Sequence, residues 1–267
     1  MQIRIACSLL VTLALLTGAC GDDGDSGDAD SGQLTVFAAA SLTDAFADIA
    51  TAINEQYPDL DITYNFGGSQ QLVTQLAEGA DADVFASANM AQMTAAQDED
   101  VIAGEPVIFI RNRLAIIVPS DNPAGLDEPA DLATDGLKLV VANPSVPVGR
   151  YTLDMLDHMS TDPGYGTSFR EDVESNIVSQ EDNVRQVVTK VQLGEADAGI
   201  VYVSDVTADV ADDVTIIEVP AEHNIIAEYP IAPVVDGNAD RAQIFIDFVL
   251  SDEGQAILTA HGFTARE

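Results

Sequence analysis

The segment spanning residues 34–46 constrains the fold of this chain more than any other, because its hydrophobic pattern changes period within a few residues. Residues 34–39 form a short, nearly continuous apolar run with β-branched and aromatic members, which is typical of a strand covered on both faces in a parallel sheet. From Leu42 onward, apolar residues recur at helical spacing. The pattern predicts a buried strand that turns directly into a helix, with Ser41 as its N-cap and Asp44 capping the Ser41 N–H.

The rest of the chain alternates between strand-like and helix-like patterns with short connections. Repeated β-α-β units of this kind predict an α/β fold with parallel-rich sheets flanked by helices. The apolar runs 114–118 and 229–235 separate the outer thirds of the chain from its middle and are plausible crossings between two lobes. We therefore expect residues 33–113 and 229–267 to form lobe 1 and residues 114–228 to form lobe 2.

The N-terminus has the pattern of an export signal rather than of a folded element. Residues 1–19 contain an apolar run too short to span a bilayer, followed by small residues directly before Cys20. This arrangement resembles a lipobox and predicts lipidation of Cys20, although cleavage by an ordinary signal peptidase remains open. Residues 20–32 are rich in Asp, Gly and Ser and have no large apolar residue, which predicts a solvated tether.

The charge balance excludes several classes of partner. The chain has 45 acidic and 10 basic residues, a formal net charge of −35, which argues against binding to nucleic acid or to an anionic membrane surface. We expect contact with the membrane only through the lipid anchor. An acidic, lysine-poor composition is typical of proteins that function in high salt. After removal of the signal, Cys20 is the only cysteine, so neither an intrachain disulfide nor a cysteine-based metal site is possible.

Four polar or glycine-rich turns each open a predicted helix. They lie at Ser41 and Ser69 in the predicted first lobe, and at Val148 and Val184 in the second. The N-terminus of a helix presents unpaired N–H groups and a positive dipole end, so four such ends facing one cleft predict an anion site. The alternatives are that each serine is only a cap, and that Tyr202, in a predicted buried strand, belongs to the core.

The patterns of common enzymes are lacking in the sequence. There is no G-x-S-x-G or H-E-x-x-H motif, and His158, His223 and His261 follow no triad pattern. The turn at residues 67–69 lacks the lysine of a P-loop. We therefore expect no catalytic activity and no cofactor; a secreted hydrolase that uses Ser41 or Ser69 as nucleophile is the enzymatic alternative.

A set of short motifs, in order along the chain, resembles the molybdate-binding proteins of ABC importers. The likeness covers residues 33–263 and rests on VFAAASLTDA at 36–45, FGGS at 66–69, QLAEGADADVFASA at 75–88, NVR at 183–185, GIVY at 199–202 and HGF at 261–263. The resemblance implies a two-lobed type II periplasmic-binding-protein fold with the ligand cleft between the lobes. Two departures are that Val148 stands where alanine is common and that Gln70–Gln71 replace small residues, which leaves the donor set around Ser69 open.

The resemblance also implies which residues bind the ligand. Ser41 and Ser69 would contribute hydroxyl and backbone donors, Val148 and Val184 backbone N–H groups, and Tyr202 its hydroxyl; molybdenum or tungsten would be held only as its oxyanion. The expected function is capture of molybdate or tungstate outside the cytoplasm by a lipid-anchored monomer and delivery to an ABC permease. The alternatives are sulfate or another tetrahedral oxyanion as ligand and, from a different class, a structural surface protein.

Overall fold

The computed structural model describes residues 32–266, which form a sheet flanked by helices. The strands within this range are β1 (Gln33–Ala39), β2 (Asp61–Gly67), β3 (Val84–Ala86), β4 (Val107–Pro119), β5 (Leu139–Ala142), β6 (Ile177–Glu181), β7 (Ala198–Tyr202), β8 (Val214–Glu218), β9 (Ile226–Pro233) and β10 (Thr264–Ala265). The α-helices are α1 (Thr43–Gln56), α2 (Ser69–Ala77), α3 (Met90–Asp98), α4 (Pro147–Thr161), α5 (Phe169–Ser175), α6 (Val184–Gln192), α7 (Ala239–Leu250) and α8 (Asp252–Ala260).

The strands pair in the order β2-β1-β3-β9-β4-β7-β5-β6, and β8 and β10 also pair with β4. The parallel pairs lie toward the two ends of this order: β1 with β2 and β3, and β5 with β6 and β7. The antiparallel pairs lie at its centre, around β4 and β9. Parallel neighbours need crossover connections, which α1 and α2 supply between β1, β2 and β3. The predicted mixed α/β architecture is confirmed.

Strand β4 connects two parts of the sheet that have different neighbours. Its first half, residues 107–113, pairs with β9, whereas residues 114–119 pair with β7 and β8. The apolar runs 107–110 and 114–118, which bracket the polar residues 111–113, predict two strands, and that prediction is wrong because a single strand spans both. The strand continues because the fully buried Asn112 donates a hydrogen bond of 2.8 Å to Ser204 Oγ, so its amide need not turn to solvent.

The change of period in residues 34–46 places one face of α1 in the core. Phe46 and Ile49 are fully buried, as the helical spacing predicted. The Phe46 ring contacts those of Phe109 and Phe245, with centroid distances of 6.0 and 5.4 Å. Burial of an aromatic side chain of this size stabilises a fold by roughly 1.5–3 kcal/mol, so these contacts fix α1, and the turn before it, against the sheet.

Two elements differ from the sequence-based expectation. Strand β6 was not predicted, because its residues alternate between partly buried and exposed and form no apolar run; it lies at the end of the sheet order, beside β5. The sequence predicts a turn over residues 143–149 with a helix from Arg150, but α4 begins at Pro147. Proline lacks an N–H and has a fixed φ, both of which suit the first position of a helix.

The predicted signal peptide, Cys20 and nearly all of the tether lie outside the described residues. Gly32, the last tether residue, is described: its carbonyl accepts a hydrogen bond of 2.7 Å from the Asp61 N–H at the start of β2. Within residues 32–266, none of the helices has both the length and the apolar character needed to cross a membrane.

Candidate functional site

All five residues predicted to bind an anion line one small cavity. Ser41 and Ser69 come from the outer segments of the chain, defined as residues 33–113 and 229–267. Val148, Val184 and Tyr202 come from the middle segment, residues 114–228. The cavity volume is about 10 Å³, and the rest of its lining consists of glycine, alanine, valine and proline together with Asn183. In this conformation the space is close to the roughly 10–15 Å³ that one bound water molecule requires.

Three of these residues occupy the first turn of an α-helix. Ser69 and Val184 are the first residues of α2 and α6, and Val148 follows Pro147 at the start of α4. N–H groups in the first turn have no acceptor within their own helix. Because Pro147 has no N–H, Val148 supplies the first donor of α4. All three residues are at least 96% buried, so these donors lie away from bulk solvent.

Two glycines let the backbone approach closely around the cavity. A Cβ on Gly68 would lie 2.4 Å from the carbonyl oxygen of Asp182, which belongs to the middle segment. A Cβ on Gly149 would lie 2.2 Å from the Asn143 carbonyl oxygen, beneath the start of α4. Gly68 therefore permits contact between the segments. The sequence indicated only a turn at this position, since a glycine before a helix does not reveal what it faces.

Ser41 is not the N-cap that the sequence predicted. A 3₁₀ turn at Ala40–Leu42 intervenes, and α1 begins at Thr43 without a side-chain cap. The Ser41 hydroxyl instead lies 2.9 Å from Tyr229 Oη, and both side chains are buried. Tyr229 was missed because it lies in an apolar strand, where a tyrosine ring is ordinarily core.

The Ser69 hydroxyl has a different partner. Ser69 Oγ accepts a hydrogen bond of 3.1 Å from the backbone N–H of Ala88. With a lone pair engaged in this way, the hydroxyl proton remains available to an acceptor in the cavity.

Asp44 does not cap the Ser41 N–H as predicted, because Arg185 from α6 provides a charged partner. Asp44 Oδ2 accepts a hydrogen bond of 2.6 Å from Arg185 Nη2, and Arg185 Nε donates to the Ala40 carbonyl at 3.3 Å. Arg185 Nε also lies 3.4 Å from Oδ1 of the fully buried Asp205. Burial raises the pKa of Asp205 to about 6, although Arg185 opposes the shift. Arg185 thus links the middle segment to the turn that carries Ser41.

Tyr202 contributes a buried hydroxyl that has no hydrogen-bond partner among residues 32–266. The side chain is 99% buried, and burial raises its pKa well above the ordinary value for tyrosine. The hydroxyl is therefore a neutral donor next to the cavity. An unpaired buried hydroxyl costs about 1–3 kcal/mol, which an acceptor in the cavity would recover.

The cavity lining is uncharged: of the residues described, those that form it include no carboxylate, lysine, arginine or histidine. The described part of the chain also lacks a group of three or more His, Cys, Asp or Glu side chains arranged to hold a metal ion. The arrangement suits an anion held by neutral donors, and it places no general base beside either serine.

The chain matches a family and several characterised proteins along most of its length. The family model for bacterial extracellular solute-binding proteins matches residues 34–264. The molybdate-binding protein ModA of Mycobacterium tuberculosis is 36% identical, with 95% of each chain covered. ModA of Escherichia coli is 31% identical, with 89% of this chain and 91% of that protein covered.

The structure agrees with these matches. The periplasmic molybdate-binding protein of Azotobacter vinelandii superposes with a TM-score of 0.75 over 88% of this chain and 100% of its own; at 19% identity this match bears on the fold alone. It confirms the predicted type II periplasmic-binding-protein fold. Together with the family match, which covers nearly the whole described range, these likenesses show that the chain belongs to the bacterial extracellular solute-binding proteins, which are binding proteins rather than enzymes.

Proposed function

We propose that this protein captures molybdate or tungstate between its two lobes and delivers the anion to an ABC permease. The observation that carries the proposal is the cavity in which Ser41, Ser69, Val148, Val184 and Tyr202 meet without a charged side chain. The full-length similarity to molybdate-binding proteins of two other bacteria supports this choice of ligand.

The donors suffice to bind a dianion without a cationic side chain. Ser41 and Ser69 each offer an N–H and an O–H, and Val148, Val184 and Tyr202 each offer one further donor. Hydrogen bonds to a charged group contribute about 1.5–3 kcal/mol each. Such donors favour a tetrahedral dianion that carries no proton at neutral pH. Molybdate, tungstate and sulfate all meet this condition. Sulfate is the second candidate on this ground, because the same charge and the same set of donors suit all three anions.

The segments that meet at the cavity support the proposed lobe boundaries. Lobe 1 would comprise residues 33–113 and 229–267, and lobe 2 residues 114–228. The change of partners along β4, from β9 before residue 114 to β7 and β8 after it, falls at this boundary. Gln70 Nε2 donates a hydrogen bond of 3.0 Å to the Asp182 carbonyl, and Gln92 Nε2 donates one of 3.2 Å to the Ser145 carbonyl. Side chains of lobe 1 would therefore contact lobe 2 across the cleft.

The family is extracellular, and we propose that this member is a monomer held at the outer face of the membrane by lipid on Cys20. The acidic tether of residues 20–32 would keep the domain clear of the surface. Metabolic labelling with a fatty-acid analogue tests the anchor: wild-type protein should be labelled, and the Cys20→Ala variant should be released into the medium.

Competition calorimetry tests the proposed ligand. We expect strong binding of molybdate and tungstate, weaker binding of sulfate and the weakest, though measurable, binding of phosphate, in low and high salt alike. Both salt conditions are needed because the net charge of −35 repels anions at long range in dilute buffer. A protein that takes up neither molybdate nor tungstate in either buffer contradicts the proposal, and preference for sulfate would favour the second candidate.

A further inference from the structure

A buried chain of hydrogen bonds lies behind Ser41, on the side away from solvent. Ser41 Oγ lies 2.9 Å from Tyr229 Oη, and Asn112 Nδ2 lies 3.4 Å from the same phenol oxygen. Tyr229 is on β9 and Asn112 is on β4, and both are fully buried. Neither residue lines the cavity, but Tyr229 contacts two residues that do: its hydroxyl lies beside Ser41 Oγ, and its ring packs against that of Tyr202 with centroids 5.8 Å apart.

The orientation of the Asn112 amide indicates which groups donate and which accept in this series of hydrogen bonds. Its Oδ1 accepts a hydrogen bond of 3.0 Å from the Arg113 N–H, which leaves Nδ2 facing Ser204 Oγ at 2.8 Å and Tyr229 Oη at 3.4 Å. A phenol oxygen that accepts from an amide directs its own proton elsewhere. Ser41 Oγ, 2.9 Å away, can accept that proton, and we assign Tyr229 as the donor of this hydrogen bond.

We propose that Tyr229, oriented by Asn112, is a positioning residue that fixes the Ser41 hydroxyl as a donor and thereby excludes protonated anions from the cavity. A serine oxygen that already accepts from Tyr229 turns its proton toward the cavity. An anion such as hydrogen phosphate, which must itself donate a proton, then meets only donors at this position. The inference rests on the proposed oxyanion site and assigns selectivity within it.

The Ser69 hydroxyl is also held as a donor toward the cavity, but by a backbone group. Its oxygen accepts from the Ala88 backbone N–H, which no side-chain substitution at position 88 other than proline removes. At Ser41, by contrast, the orientation of the hydroxyl as a donor depends on the side-chain hydroxyl of Tyr229. Removal of that hydroxyl would let the serine rotate and accept a proton from the ligand, so selectivity against phosphate should be most easily lost at Ser41.

The test compares Tyr229→Phe with Tyr64→Phe. Both variants keep the ring and lose one hydroxyl, but the Tyr64 hydroxyl donates a hydrogen bond of 2.8 Å to the Phe46 carbonyl, and Tyr64 does not line the cavity. For Tyr229→Phe we expect molybdate affinity to fall about 3- to 10-fold and the ratio of molybdate to phosphate affinity to fall by at least about tenfold. The Tyr64→Phe control should keep the wild-type ratio.

A double variant shows whether Tyr229 acts through Ser41. If it does, Ser41→Ala combined with Tyr229→Phe should bind molybdate no more weakly than Ser41→Ala alone, because the interaction is already lost. An unchanged affinity ratio in Tyr229→Phe, or additive losses in the double variant, would overturn the inference. A purely structural role would lower stability in both Tyr→Phe variants without moving the ratio.

Failure of the proposed function would look different. In that case wild-type protein would bind neither molybdate nor tungstate, and the direction of the hydrogen bond would be decided by NMR of the unliganded protein. We expect a slowly exchanging Tyr229 hydroxyl proton with a nuclear Overhauser effect to the Ser41 Hβ protons. Its absence, with the Tyr64 hydroxyl proton visible in the same spectrum, would overturn the assigned direction.

Discussion

The two sides of the cavity offer different kinds of donor. The outer segments supply Ser41 and Ser69, each with a side-chain hydroxyl as well as a backbone N–H, whereas Val148 and Val184 in the middle segment offer only a backbone N–H. Tyr202 adds one hydroxyl on the middle-segment side. Truncation of a side chain therefore removes donors from one side of the cavity, but on the other side most donors are lost only when the backbone itself is changed.

The largest effect is expected where the two sides touch. In Gly68→Ala the new Cβ would lie 2.4 Å from the Asp182 carbonyl oxygen, so the segments could not reach the arrangement described here. Overpacking of this kind costs about 1–3 kcal/mol, and because it separates the two sets of donors we expect the upper end of that range, seen in calorimetry as molybdate affinity reduced by roughly 150-fold. Gly164→Ala is the control, since the nearest atom to its new Cβ would be a side-chain oxygen of Asp162, 3.3 Å away. Equal affinity in both variants would show that closeness at Gly68 has no role in binding.

A backbone donor on the middle-segment side can be removed singly by Val184→Pro. Val184 is the first residue of α6, where proline fits, and Asn183 has the extended backbone that a following proline requires, with φ −157° and ψ 167°. Loss of one N–H should weaken molybdate binding by about 1.5–3 kcal/mol while thermal unfolding changes little.

Val184→Ala is the matched control for this substitution. It truncates the side chain but keeps the N–H, so affinity should stay near the wild-type value even if stability falls. If the alanine variant binds as weakly as the proline variant, the side chain rather than the backbone is responsible, and the contrast between the two sides breaks down.

Side-chain truncation on the outer-segment side should have an intermediate effect. Ser41→Ala and Ser69→Ala each remove one hydroxyl donor, and we expect each to weaken molybdate binding by about 1–2 kcal/mol in titration calorimetry. Each also removes a hydrogen-bond partner of a buried group, the Tyr229 hydroxyl or the Ala88 N–H. Affinities within error of wild type in both variants would mean that these serines are structural only.

The smallest loss of affinity, about 1 kcal/mol, is expected for Tyr202→Phe. Here the effects on binding and stability should have opposite signs, because the Tyr202 hydroxyl is buried without a partner in the described structure. The variant should unfold at the same or a higher temperature than wild type when unliganded, and gain less in melting temperature from saturating molybdate. A variant that is less stable when unliganded would show that the hydroxyl has a structural partner.

Much of this arrangement followed from the sequence because it rests on local rules. The change from strand to helix in residues 34–46 and the helical face containing Phe46 and Ile49 are consequences of hydrophobic period. The resemblance to a known family indicated the five residues that meet at the cavity. The positions of the donors at helix starts are likewise a local property.

What the sequence could not supply were contacts between segments far apart in the chain. The Tyr229 hydroxyl contacts Ser41, which is 188 positions away in the sequence. Arg185, 141 positions from Asp44, binds the carboxylate that local spacing had assigned to capping the Ser41 N–H. The continuity of β4 through Asn112 depends on Ser204, another distant partner. No periodicity encodes such pairs, since each depends on how β4, β9 and α6 meet in three dimensions.

Elemental analysis of protein purified from cells grown with molybdate, tungstate, sulfate and phosphate in the medium tests the central claim most directly. We expect close to one equivalent of molybdenum or tungsten per chain, a smaller amount in the Val184→Pro variant and the wild-type amount in Val184→Ala. Protein that carries neither metal, or that holds sulfate or phosphate in their place, would contradict it.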